Sequence, residues 1–502
     1  MKGKRWEPLS LIIGAACLIT AVIFTKSVHS QQTSSLLSLP GLAATPWYDE
    51  GDQHGADFAA AVNGAGDVNG DGYGDIIVGA PKYTASGYPG GTAFVYYGAV
   101  SGLPLQPQWT TGGDILGSRF GGAVNSAGDV NGDGYDDILI GAYEYTIPDV
   151  PFVSHQGRVY LFYGSASGLG SDEADWTFAG DCADENLGYA VASAGDINGD
   201  GYDDIVVGAR RYEQDDKKVG AVLVFYGSAN GLTQIAPDWM VIGDDPGADF
   251  GTAVNTAGDV NHDGYDDIIV GAPNYDNGQE VGGAAFVYYG SATGLNPAGT
   301  PNWMAHGGVA EASFGMSADT AGDVNNDGYD DIIIGAPRYP GSADYDGAVF
   351  VYHGSSSGLS TSANWTAVPD QLGSLFGYAA AAAGDVNNDG YDDVIVGAYR
   401  YNDNPEDGQN SIEGAAFVYW GAPVQLQTTS WRAVGEKAET EFGFAVGTTG
   451  DITGDGNQDI IVGAPRYQRD SKTILGRVYV YFGQQNDFEW PYQTYLPLIV
   501  SE

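Results

Sequence analysis

The chain has 502 residues, a formal charge of −46 and 77 glycines, with 43% hydrophobic and 12% aromatic residues. A nucleic-acid binder needs a basic surface to neutralise phosphates, and an anionic membrane surface repels so acidic a chain, so both are excluded as direct partners. This much apolar and aromatic residue beside abundant glycine is the composition of many short strands and turns, not of a disordered polymer.

In chain order, residues 1–30 read as a signal peptide or an N-terminal anchor. A basic start, MKGKRWEP, precedes the apolar run 9–24, and Val28 and Ser30 suit the small-residue positions before a cleavage point at Gln31. The run is short for a membrane span. Cys17 lies inside it, with Gly14 where a lipidation signal needs a leucine-like residue. Cys182 is then the one cysteine of the exported chain, so rigidity has to come from something other than an intrachain disulfide. A linker covers 31–44.

From residue 45 to 485 the chain repeats with a period near 64. An acidic string starts at Asp67, Asp129, Asp196, Asp259, Asp323, Asp385 and Asp451. Nine residues before each start stands Phe58, Phe120, Leu187, Phe250, Phe314, Phe376 or Phe442, usually followed by glycine. Eleven residues earlier stands Trp47, Trp109, Trp176, Trp239, Trp303, Trp365 or Trp431. Fixed spacings held through seven copies are the mark of a repeat architecture.

Each period predicts four short strands: one beginning at the Phe-Gly pair, as at Phe120–Val124; one at the apolar run after the acidic string, as at Asp137–Ala142; one alternating and aromatic, as at 157–164; and one holding the tryptophan. No helical stripe follows residue 30. Four-stranded units that cannot bury both faces alone stack radially, which predicts an all-β, seven-bladed β-propeller of antiparallel blades. The offset between the tryptophan strand and the Phe-Gly strand leaves the seventh blade one strand short. Either the segment around Trp47 or that around Trp490 closes it, and Trp47 is the expected one because it ties the two ends together.

The acidic strings supply oxygen donors at positions 1, 3, 5, 7 and 9, with the position-7 residue offering its backbone carbonyl. The candidate ligands are Asp67, Asn69, Asp71, Tyr73 and Asp75 in the first copy; Asp129, Asn131, Asp133, Tyr135 and Asp137 in the second; Asp196, Asn198, Asp200, Tyr202 and Asp204 in the third; Asp259, Asn261, Asp263, Tyr265 and Asp267 in the fourth; Asp323, Asn325, Asp327, Tyr329 and Asp331 in the fifth; Asp385, Asn387, Asp389, Tyr391 and Asp393 in the sixth; and Asp451, Thr453, Asp455, Asn457 and Asp459 in the seventh. Oxygen-only donors in this number suit Ca²⁺, up to seven ions with one per blade, better than Mg²⁺ or Zn²⁺. Position 12 is Val or Ile in every copy where an EF-hand requires Glu, so the predicted site joins two strands. The alternative is a set of Asp/Asn turns that satisfy only their own backbone.

These features resemble the FG-GAP repeats of the integrin α-subunit propeller. The resemblance rests on Phe120-Gly121, on the loop from Asp129, and on Gly-Ala-Pro at Gly79-Ala80-Pro81, Gly271-Ala272-Pro273, Gly335-Ala336-Pro337 and Gly463-Ala464-Pro465. It implies Ca²⁺ in loops on one propeller face and a role in adhesion or protein interaction. Ala59, Leu187, Tyr143, Arg210 and Tyr399 depart from the pattern and are expected to alter local packing. Integrin leg domains and integrin ligands are not carried over, and no Arg-Gly-Asp string is present.

The connections between second and third strands vary in length, which marks the face opposite the metal loops for recognition. Tyr83, Tyr145, Tyr212, Tyr275, Tyr339, Tyr401 and Tyr467 recur there, either as a stacking surface or as packing between blades. The reading is a secreted or cell-surface, non-catalytic module for an extracellular protein or glycan, acting as a monomer. The alternative is a propeller-based extracellular enzyme of polysaccharide lyase or phosphodiesterase type. His54, His155, His262, His306 and His353 form no catalytic motif, and Arg210, Arg211, Lys217 and Lys218 are the nearest basic group. A tail covers 486–502.

Overall fold

The computed structural model describes Leu42 and residues 45–484, apart from 85–89, 149–153, 277, 279–281, 341–344, 370, 404–411, 429 and 471. Residues 1–30, Trp490 and the segment 486–502 lie outside the described residues. Among the described residues there is no helix. Seven four-stranded antiparallel sheets form the blades of a β-propeller, and two small hairpins decorate it.

In the first blade Ala61–Gly66, Asp75–Ala80, Thr92–Tyr96 and Trp109–Gly112 pair in chain order. The second repeats this with Phe120–Gly128, Asp137–Ala142, Arg158–Phe162 and Trp176–Ala179. Four more blades follow the same order. The seventh takes Ala445–Gly450, Asp459–Ala464 and Arg477–Tyr481 from the end of the domain and its outer strand, Trp47–Glu50, from the beginning. Trp47 pairs with Val480 and Glu50 with Arg477, so the expected closure is the one that forms. Glu50 also bonds Arg469 and Arg477. Burial pushes the Glu50 carboxyl up, but the two guanidiniums outweigh it and leave the group below its ordinary range.

The second strands explain why their sequence runs apolar without alternation. All six residues of Asp137–Ala142 are buried, and the same holds in each of the other blades. Both faces of these sheets are covered because the hydrophobic cores lie between blades. The tryptophans build these cores. Trp109 meets Phe162, Trp176 meets Phe225, Trp239 meets Tyr288, Trp303 meets Tyr352, Trp365 meets Tyr419, Trp431 meets Tyr481 and Trp47 meets Tyr96. Every pair joins one blade to the next edge-to-face, with centroids 4.8–5.3 Å apart. That geometry suits the aromatic quadrupole and adds about 0.5–1.5 kcal/mol per pair beyond area burial.

The Phe-Gly pair differs from expectation. In blades two and three the first strand includes Phe120 or Leu187, but its pairing breaks between Phe120 and Ala123 and between Leu187 and Ala190. In the other blades the strand begins at the third residue after the Phe, as at Ala253–Gly258. The Phe backbone serves the neighbouring blade instead: Phe120 N–H donates to Gly90 O at 2.9 Å and Phe314 N–H to Gly282 O at 2.9 Å. This crossing explains the glycine. Gly121 has φ of +79°, and a Cβ there would stand 2.6 Å from Thr92 O of the preceding blade.

Candidate metal centres

Each acidic string is the connection from the first to the second strand of its blade, as Asp67–Asp75 is between Ala61–Gly66 and Asp75–Ala80. The seven loops share one hydrogen-bond pattern. The position-6 glycine N–H donates to Oδ2 of the position-1 Asp at 2.7–2.8 Å in all seven. The position-5 N–H donates to the other oxygen, Oδ1, at 3.0–3.2 Å. The position-5 carboxylate in turn accepts the position-7 N–H at 3.0–3.2 Å. The glycine makes the turn possible: Gly134 sits at φ +89°, and its six counterparts lie between +88° and +90°. These bonds fix the rotamers of positions 1 and 5.

Position 9 has a different setting. Asp75, Asp137, Asp204, Asp267, Asp331, Asp393 and Asp459 are each 0% exposed. One oxygen accepts the position-2 N–H at 2.9–3.2 Å. The other accepts, at 2.8–2.9 Å, the N–H of the glycine that follows the third strand, Gly164 in the case of Asp137. The side chain brackets the loop, the second strand and the third. Among the described residues the only trio of acidic, Cys or His ligand atoms gathered within 4.8 Å is Asp181, Cys182 and Glu185, so positions 1, 5 and 9 of a loop are not drawn that close.

Two observations bear on the fit of the donor set to a hard cation. Burial lifts the position-9 carboxyls against the pull of their two N–H donors, and the position-1 and position-5 carboxylates add to the rise: Asp75, Asp137, Asp204, Asp267 and Asp331 are pushed up to about 8, Asp459 to about 7, and Asp393 well above the ordinary value. A divalent ion beside them reverses that pressure. Position 3 also carries acceptors that no donor satisfies. Asn325 Oδ1, Asn387 Oδ1 and Thr453 Oγ1 are buried without a hydrogen-bond partner, as is Asn457 Oδ1 at position 7 of the last loop. In the first two loops the equivalent Asn69 and Asn131 oxygens accept the position-5 N–H at 2.9 Å. An orphaned buried acceptor costs about 1–3 kcal/mol, which a ligated cation offsets.

The structure adds a residue that sequence reasoning missed. The position-8 carboxylates of Asp136, Asp203, Asp266, Asp330 and Asp392 accept the position-1 N–H of the preceding blade's loop at 2.7–2.9 Å. The position-8 backbone N–H returns a bond to the position-1 carbonyl, as Asp136 does to Asp67 at 3.2 Å. The seven loops are therefore linked into a ring. The available signal was the repeated Asp-Asp pair, with Gly74 and Gln458 in the two copies that lack it.

On the opposite face the repeated tyrosines pack rather than line a mouth. Tyr145, Tyr275, Tyr401 and Tyr467 are buried. Tyr83, Tyr275, Tyr339 and Tyr401 meet the rings of Phe94, Phe286, Phe350 and Phe417 in their own blades. The histidines stay apart: His155 pairs with Asp184, His306 stacks on Tyr275, and His262 meets Tyr329. Lys217–Lys218 pairs with Glu213–Gln214 as an exposed hairpin.

A β-propeller whose seven blades each carry an oxygen-rich loop and a Gly-Ala pair, five of them with a Phe-Gly crossing, belongs to the FG-GAP repeat family. The family model matches residues 58–96, 120–162, 187–225, 250–288, 314–352, 376–419 and 442–481, one match per blade. Among individual relatives, the chain is similar to integrin alpha-3 of Cricetulus griseus, at 34% identity over 45% of this chain and 21% of the relative. It is similar to integrin alpha-6 of Homo sapiens at 37% over 33% of this chain and 14% of the relative, and to integrin alpha-V of Gallus gallus at 33% over 43% and 20%. The chain spans about a fifth or less of the length of these relatives. No helix among the described residues is long and apolar enough to cross a membrane.

Proposed function

We propose that this chain is an exported, calcium-stabilised, non-catalytic propeller that binds an extracellular protein or glycan. Residues 1–30 direct export, residues 45–485 form the binding domain, and up to seven Ca²⁺ ions sit in the first-to-second-strand loops. In each loop positions 1, 3 and 5 offer side-chain oxygens and position 7 its carbonyl. Position 9 contributes the lone pairs left after its two N–H bonds. The observation that carries the reading is the sevenfold identity of the loop bonds together with the buried, unpartnered acceptors of Asn325, Asn387 and Thr453. The similarity to integrin α subunits supports an adhesive or interaction role.

The test is a glycan array and an extracellular-protein pull-down with the purified chain, each run in calcium and in chelator. Retention of a partner in calcium and its loss in chelator is expected, because the metal holds the scaffold that presents the opposite face. Sustained turnover of a polysaccharide, or binding indifferent to chelator, contradicts the reading.

A further inference from the structure

Among the described residues the cations avoid the metal-loop side of the propeller. No Lys or Arg falls in a first-to-second-strand loop, or between a third strand and the fourth that follows it. Lys82, Arg210, Arg211, Arg338, Arg400 and Arg466 instead follow the second strands, at the opposite end of the blades. Several of these are neutralised locally: Lys82 pairs with Asp57 and Arg466 with Glu441. The side chains of Arg210 and Arg338 have neither ion pair nor hydrogen bond among the described residues. Arg210 Nε is buried without a partner, and its guanidinium lies 3.7 Å from the centre of the Tyr189 ring.

Both arginines line a cavity of about 260 Å³ shared by blades three to six. Tyr378 and Tyr399 line it too, with ring centroids 4.7 Å apart. Asn274 and Asp249 line it as well and bond each other at 2.8 Å, so the lining holds two guanidiniums and one carboxylate already engaged by an amide. A guanidinium fork matches a carboxylate, a tyrosine face packs on the C–H face of a pyranose, and the amide of Asn274 can bond hydroxyls. The volume falls below the roughly 300–1,000 Å³ of drug-sized sites, which suits one sugar ring at the end of a longer chain.

We propose that this cavity binds a hexuronate residue of an acidic saccharide, with Arg210 and Arg338 on its carboxylate and the Tyr378–Tyr399 pair against its ring. The assignment rests on the interaction-module reading and names its ligand class. An extended acidic peptide is disfavoured because such peptides add to a sheet edge or lie in a long groove, and this cavity is short and walled by four blades.

Calorimetric titration of the exported chain in calcium tests it, with a hexuronate trisaccharide, its neutral hexose counterpart and triglutamate as probes. The uronate is expected to bind, and the neutral sugar and the peptide to bind at least about tenfold more weakly. Arg210→Gln and Arg338→Gln should each weaken uronate binding at least about tenfold with unchanged melting temperature, while Lys472→Gln in the distant blade-seven hairpin leaves it intact. Arg338 is exposed, so its variant reports on binding even if loss of Arg210 disturbs packing on Tyr189. Absence of uronate binding, equal binding of either control probe, or binding that survives both substitutions overturns the proposal. A partner held equally by wild type and both variants in the pull-down leaves the module reading standing while this one falls; absence of any partner removes both.

Discussion

Asp136 accepts the Asp67 N–H at 2.7 Å from the next blade. Asp136→Ala leaves that N–H without its acceptor, and urea denaturation should show a loss of about 1–3 kcal/mol, with a loss below about 0.5 contradicting the role. The turn of each loop was legible in the sequence, because Asp at positions 1 and 5 beside a position-6 glycine accepts the loop's own N–H groups, as Asp67 and Asp71 do. Position 8 was not, because a second Asp after the first reads as one more solvated acid, and its target lies 69 residues away. Glu185 gives the pH-dependent case. It is 3% exposed and accepts the Asp181 and Cys182 N–H groups, yet burial pushes its carboxyl up to about 7. The folded chain keeps that proton where the unfolded chain, near 4.3, has lost it. Stability from this group is therefore complete at low pH and declines as pH rises from about 4.5 to 7, by roughly 2–4 kcal/mol. Glu185→Gln should remove the decline, so the variant gains on wild type across that window; a constant difference contradicts the assignment.

At the scale of the strand, the tryptophans carry the blade boundaries. Trp303 is 8% exposed, meets Tyr352 edge-to-face at 4.9 Å and donates its indole N–H to Ser360 O at 2.8 Å. Trp303→Ala should cost about 3–5 kcal/mol, read from the same denaturation midpoint at constant slope. A loss under about 1 kcal/mol would mean that the boundary repacks. The strands themselves were readable from period and alternation, since DILIGA-like runs and aromatic third strands differ in pattern. The start of the first strand was not. Phe250 and Phe314 are apolar and sit beside strand residues, but Phe250 bridges to Gly220 and the Phe314 N–H donates to Gly282 O, both in the neighbouring blade, a contact that local pattern does not encode.

For the whole ring, closure depends on Trp47–Glu50, four residues held by Arg477 and by Trp47 against Tyr96. Deleting residues 45–50 opens the Arg477–Tyr481 edge and should lower the melting temperature and promote association in size-exclusion chromatography, because an uncovered strand edge invites pairing; a monomer with unchanged melting contradicts this. The closing strand was legible because an offset of one strand per blade leaves a countable gap. The cavity of Arg210 and Arg338 was not, since four blades separated by whole repeats meet there. The central claim is that Ca²⁺ rivets the first-to-second-strand loops of the blades. Calorimetric melting of the chelator-stripped chain across a calcium titration tests it most directly. Each native-only site should add about 2.7 kcal/mol at a calcium concentration of 100 Kd, so the midpoint should climb steeply with calcium and hardly at all with equal magnesium. One melting curve that calcium leaves unmoved would contradict the account.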